Sequence, residues 1–176
     1  MKKLFFALLT RILYINKKIE FGKNFRCDSI PKFIINNGSV IKIADSVIIR
    51  KNVELRSVNS GVLSIGNNCI IDNGARIIAS NSEVILKDRV KIGYYSVVNG
   101  GGGVIIDEDT SLYGFVYIQT STHQDKEKNF DKNSQPMFIH KSVKIGKKCL
   151  IGAHVSILPG ASISDYQMIE FNSVVQ

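Results

Sequence analysis

Apolar residues in this chain return every six positions. From Ile145 the step lands on Ile151, Ile157, Ile163, Ile169 and Val175. A helix repeats its apolar face every three or four residues and a strand every two, so six fits neither. The same step links Ile43, Ile49 and Leu55; Ile65, Ile71 and Ile77; Leu86, Ile92 and Val98; and Ile106, Leu112 and Ile118. These triplets begin at 43, 65, 86, 106, 145 and 163, so successive starts lie 22, 21, 20, 39 and 18 residues apart. The basic unit is therefore three hexads. Four positions after many of the aliphatics a small or β-branched residue follows, among them Val47, Val53, Cys69, Ala75, Val155 and Ala161. Two inward positions in each six describe short strands joined at corners.

Three such strands per turn, each stacked on the turn before, predict an all-β chain. Its architecture is a triangular parallel β-helix of about six turns over residues 40–176, with turns about 4.8 Å apart. Glycines 66, 93, 146 and 152 follow core positions, where corners call for backbone freedom. Residues 1–20 break the pattern. The opening MKKLFFALLTRILYI is apolar and basic, but Arg11 interrupts it. The uninterrupted run Leu4–Leu9 is far short of the roughly 20 residues that span a bilayer. It predicts a short helix that caps the first turn or lies on a membrane surface. The 39-residue spacing predicts one long polar loop, residues 119–144, beginning just after Ile118.

Charge and cysteines narrow the setting. The formal net charge is +8, and residues 1–32 carry eight basic side chains against Glu20 and Asp28. That end suits an anionic surface; no nucleic-acid-binding motif accompanies it. Cys27, Cys69 and Cys149 form no paired motif, which suggests a reducing compartment.

The stretch VKIGKKCLIGAHVSILPGASI, with VYIQTSTHQ upstream, resembles the hexapeptide-repeat acyltransferases over roughly residues 40–176. The likeness is strongest to sugar O-acetyltransferases of the maltose, galactoside and surface-polysaccharide type. The resemblance implies a left-handed β-helix, a homotrimer with active sites between subunits, and acetyl-CoA as acyl donor without a metal. It implies a catalytic histidine in a Thr/Ser-x-His context, which places it at His123. A neutral imidazole can take the proton that a sugar hydroxyl must lose as it attacks a thioester. The resemblance further implies CoA contacts at Gly152 and Ala153, and at Phe171 one turn later. Glu170 and Phe171 replace a glycine and an alanine of the family pattern, and Leu150 replaces a tryptophan. The basic tail usual in the family is absent where this sequence stops, at Gln176.

Asn99, beside the run VVNGGGG, and Asp125, two residues past His123, are expected at the acceptor saccharide. The glycine run lacks the P-loop pattern, so it is expected to widen a corner rather than cradle phosphate. His140 and His154 are expected as a loop residue and an outward corner residue; no histidine pair has zinc spacing. Asp107 and Asp109 raise the question of paired carboxylates. The activity expected is sugar O-acetylation in bacterial surface-polysaccharide biosynthesis, in the cytoplasm or peripherally at the inner membrane. N-acetylation of a nucleotide-linked amino sugar, or a catalytically decayed scaffold, are the alternatives.

Overall fold

The computed structural model describes residues 2–36, 38–123 and 138–176, with Lys2 and His123 described in their backbone only. One helix, α1 (Lys2–Leu13), precedes three seven-stranded parallel sheets. The sheets are the three faces of a triangular column. Each turn contributes one strand to each face: layer five, for instance, consists of Val104–Ile106, Ser111–Leu112 and Tyr117–Gln119. The register matches the hexad triplets. Ile65 pairs with Leu86 on the first face, Ile71 with Ile92 on the second, and Ile77 with Val98 on the third.

The triplets are the core. Ile49, Ile71, Ile92, Ile118 and Ile151 are fully buried, and Val47, Cys69, Ala75 and Val155 fill the second inward position. Burying each such aliphatic side chain is worth about 1.5–3 kcal/mol, realised only when the next layer covers it.

Layers two to seven are the six turns that the periodicity predicts. A further layer precedes them, Ile19–Phe21, Arg26–Cys27 and Lys32–Ile35, in register with the strands above. The column thus begins at residue 19 rather than at 40. Its inward hexad positions are Phe21, Cys27 and Phe33, with Phe25 also buried, so a search for aliphatics passes over them. The reason is positional: layer one has a helix rather than another coil on its outer side. Phe21 packs against Phe25 and Phe33, and Tyr14 of the helix end meets Phe33 at 4.9 Å. Ala7 and Thr10 of α1 are buried there, and the Arg11 guanidinium lies 5.4 Å over the Phe21 ring.

The corners obey a second rule. Three positions after a core residue the backbone turns left-handed, as at Ser46, Asn68, Tyr95, Asp109, Phe115, His154 and Asn172. Asn and Asp tolerate this conformation best among non-glycine residues, and Tyr95, Phe115 and His154 adopt it within a ring stack. The glycines expected to supply that freedom lie two residues earlier: Gly66, Gly93, Gly146 and Gly152 are outside the left-handed region. They are required for space. A Cβ on Gly152 would sit 2.7 Å from the Phe171 nitrogen, and one on Gly66 2.7 Å from the Lys87 carbonyl carbon. Carboxylates and amides stitch these corners together. Asp45 accepts from the Lys23 N–H at 2.6 Å, Asn67 from Asp45 at 3.1 Å, and Asp88 from Asn67 at 2.7 Å.

Candidate active site

The long insertion leaves the column at the corner between the third and first faces. Its root is a two-stranded antiparallel ribbon, Ser121–His123 against Phe138–His140, with His123 opposite Phe138. Gln119 is still part of the column and Lys141 has rejoined it: the Lys141 N–H donates to the Thr120 carbonyl at 2.8 Å. The excursion is therefore tighter at its root than residues 119–144. His140, expected in a loop, closes a strand instead.

The glycine run lies one layer beneath this root, and the contacts explain its composition. Thr120 is fully buried. Its hydroxyl donates to the Asn99 carbonyl at 2.8 Å and accepts from the Gly102 N–H at 2.8 Å. A Cβ on Gly101 would sit 3.0 Å from Ser121 Oγ and 3.5 Å from His140 Nδ1. A Cβ on Gly102 would sit 2.8 Å from the Thr120 carbonyl oxygen. The glycines thus let the ribbon sit flat on the column. Above them Ser121 Oγ and His140 Nδ1 are hydrogen-bonded at 2.8 Å.

Asn99 faces Gln119 in the register and donates to its Oε1 at 2.8 Å; Gln119 in turn donates to the Ser121 carbonyl at 3.0 Å. This polar chain, completed by Tyr117 donating to Gln119 Oε1 at 3.1 Å, runs from the third face to the ribbon that carries His123. Asp125 lies outside the described residues. No site role is legible in the sequence for Gln119, Thr120 or Ser121, although Thr120 and Ser121 lie inside the TSTH motif itself, and His140 is expected there only as a loop residue.

Gly152, Ala153 and Phe171 come together at a different corner, between the second and third faces. Gly152 donates to Ile169 at 2.9 Å, and Asn172 donates to Ala153 at 3.0 Å. Phe171 in layer seven stacks on Tyr113 in layer five at 5.6 Å, across a layer where Gly152 and Ala153 present no bulky side chain. Beside this pair runs an aromatic column. Tyr95 stacks on Phe115 at 5.6 Å, and Phe115 on His154 at 4.8 Å. All three occupy the left-handed corner position of successive layers. His154 is an exposed part of this stack, in keeping with its expected outward position. A cavity of about 480 Å³ opens on the second face against the same corner, lined among others by Arg50, Lys91, Tyr94, Ser111 and Tyr113.

Asp109 is paired with Arg89 through two hydrogen bonds of 2.6 and 2.9 Å, and these hold its carboxyl below the usual carboxylate range. It is a corner clamp rather than one of a pair of acid/base carboxylates. Among the described residues no cluster of three or more His, Cys, Asp or Glu side chains could hold a metal ion.

No protein-family pattern matches the chain. WbbJ of Escherichia coli K12, assigned to O-acetyl transfer in lipopolysaccharide biosynthesis, is 29% identical over 126 residues. The match covers 67% of this chain and 64% of WbbJ, so it spans less than two thirds of that relative. Among solved structures, the N-acyltransferase AntD of Bacillus cereus, in a variant complexed with dTDP and coenzyme A, superposes with a TM-score of 0.62 at 18% identity. That superposition covers 93% of this chain and 76% of AntD. A second AntD variant, bound to dTDP-4-amino-4,6-dideoxyglucose and coenzyme A, gives 0.51 at 18% identity over the same shares. The chain shares its fold with AntD. The likeness to acyltransferases read from its motifs is thus met twice, in the sequence of the O-acetyl transferase WbbJ and in the architecture of the N-acyltransferase AntD.

Proposed function

We propose that this chain transfers an acetyl group from acetyl-CoA to a sugar hydroxyl in the assembly of a bacterial surface polysaccharide. The observation that carries the reading is the ribbon at the third corner, which holds the TSTH histidine out from the column above a corner flattened by glycines. His123 is the general base. Its imidazole takes the hydroxyl proton as the sugar oxygen attacks the thioester carbonyl; the C–S bond breaks, and the imidazolium returns the proton to the departing CoA thiolate. Backbone N–H groups other than those of Gly102, Gly103 and Gly152, which are spent within the column, are the donors for the transient oxyanion. Asn99 and Asp125 are assigned to the acceptor saccharide. The O-acetyl relative in sequence favours a hydroxyl acceptor over an amine.

The donor is assigned to the second corner, at Gly152, Ala153 and Phe171, where Arg50 and Lys91 beside the aromatic cavity suit the phosphates of CoA. Within one chain the second and third corners are different edges of the column. A neighbouring copy that places its second corner against the first chain's third corner would complete the site, and a homotrimer does this three times by symmetry. Acyl-CoA supply places the reaction on the cytoplasmic side, with peripheral membrane contact at the basic N-terminal end.

His123→Ala should lower the rate of thiol release from acetyl-CoA by about 10²- to 10⁴-fold with an unchanged circular dichroism spectrum. A variant retaining wild-type rates would exclude His123 as the base.

A further inference from the structure

Helix α1 has two apolar faces, and folding uses one of them. Ala7 and Thr10 are buried against layer one, with Phe6 and Tyr14 packed beside them. On the other side Leu4, Phe5, Leu8, Ile12 and Leu13 are each at least 57% exposed. Leu4, Leu8 and Ile12 recur every four residues and so form one stripe along the helix. A cap needs a single apolar stripe. A second contiguous one on a solvent face marks a surface built to meet another apolar phase.

The charges say which phase. No acidic residue occurs before Glu20, and Lys17, Lys18, Lys23 and Arg26 are exposed at the same end of the column, with no ion pair among the described residues. Among the described side chains, the other cations of residues 1–32 are engaged in the fold. Lys3 bridges Asp28 at 3.3 Å, Lys32 bridges Glu54 at 2.9 Å, and Arg11 donates to the carbonyls of Phe21 and Gly22. A second copy docked on this end would bring two strongly cationic surfaces together. An anionic bilayer complements both the stripe and the charge. At twelve residues α1 is about 18 Å long, too short to cross a hydrocarbon core of about 30 Å.

We infer that the outer face of α1 lies in the interface of an anionic membrane, with Leu4, Phe5, Leu8 and Ile12 among the acyl chains and Lys17 and Lys18 at the headgroups. The helix therefore works on both faces, one closing the column and the other docking it to lipid. The inference is independent of the acyl-transfer reading, because lipid binding needs no substrate.

The test is co-sedimentation of the full chain with phosphatidylcholine vesicles containing or lacking phosphatidylglycerol, at low and high salt. Partitioning should be at least about tenfold stronger to the anionic vesicles and should weaken with salt. Leu8→Glu/Ile12→Glu should abolish binding to both vesicle types. Lys17→Glu/Lys18→Glu should lose more than about tenfold on the anionic vesicles alone. Both pairs are exposed, so the variants should fold, which an unchanged circular dichroism spectrum checks. A wild-type chain that stays in the supernatant with anionic vesicles overturns the inference, as does a Leu8→Glu/Ile12→Glu variant that binds like wild type. If that variant instead lowers the mass seen by light scattering while vesicles bind neither protein, the face joins copies of the chain and the membrane assignment is wrong.

Discussion

Cys69 has its sulfur 3.0 Å from the Lys87 carbonyl oxygen in the fully buried second inward position, and burial pushes its thiol up to about 11. Burial also raises Cys27, and Cys149 is buried against the Ser164 carbonyl. All three therefore pack as small apolar residues rather than act as nucleophiles. None should react with a thiol reagent in the native protein, whereas all three should react in guanidinium; rapid native labelling would show that a layer opens. Gly152 makes the second case. Its Cβ would press on the Phe171 nitrogen, so Gly152→Ala should cost about 1–3 kcal/mol, read as a lowered urea midpoint. A midpoint equal to wild type would show that the layer-seven corner yields freely. The presence of corner glycines is legible in the sequence, but their reason is not. Periodicity marks a corner without telling whether the chain needs a torsion there or an empty space, and the answer comes from the layer above.

At the scale of elements, α1 is tied down by more than apolar contact. Asp28 in layer one bridges Lys3 of the helix at 3.3 Å and Arg50 of layer two at 3.1 Å. Burial raises the Asp28 carboxyl, but the hydrogen bonds and charges of Arg50 and Lys3 outweigh it and hold the group below the ordinary aspartate range. A depressed folded pKa means stability that is present above the unfolded value of about 3.9 and is lost as pH falls through the folded one. Asp28→Asn should therefore lower Tm at neutral pH, and the gap from wild type should close under acid conditions. A gap that stays constant with pH would show that the bridge contributes nothing through its charge. The helix was legible from its composition. The layer beneath it was not, because an end layer with no coil on its outer side takes Phe21, Phe25 and Phe33 in place of aliphatics.

Over the whole molecule, the assigned base and the assigned donor groove sit on different edges of one column, and this gives the proposed trimer a specific signature. Phe171→Glu should weaken acetyl-CoA binding, since it sets a carboxylate against CoA phosphates and removes the stack on Tyr113. Co-expressed with His123→Ala, it should regain about a quarter of wild-type activity, because one intact His123 and one intact corner meet by chance at about that share of interfaces. No recovery in proven mixed oligomers would place the whole site within one chain. The amino-acid sequence by itself determined the column: a six-residue apolar step has one solution, stacked three-sided coils, since each strand must bury its aliphatics on the strand one turn away. It also marked where the column is interrupted, and the TSTH histidine at that interruption. Tertiary structure alone decided what the interruption rests on, that the glycine run supports it, that Asn99 joins it through Gln119, and that an aromatic column lines another edge. Those facts depend on which residues share a corner across layers, and insertions of two to twenty-one residues between turns shift that register in ways that spacing along the chain does not specify.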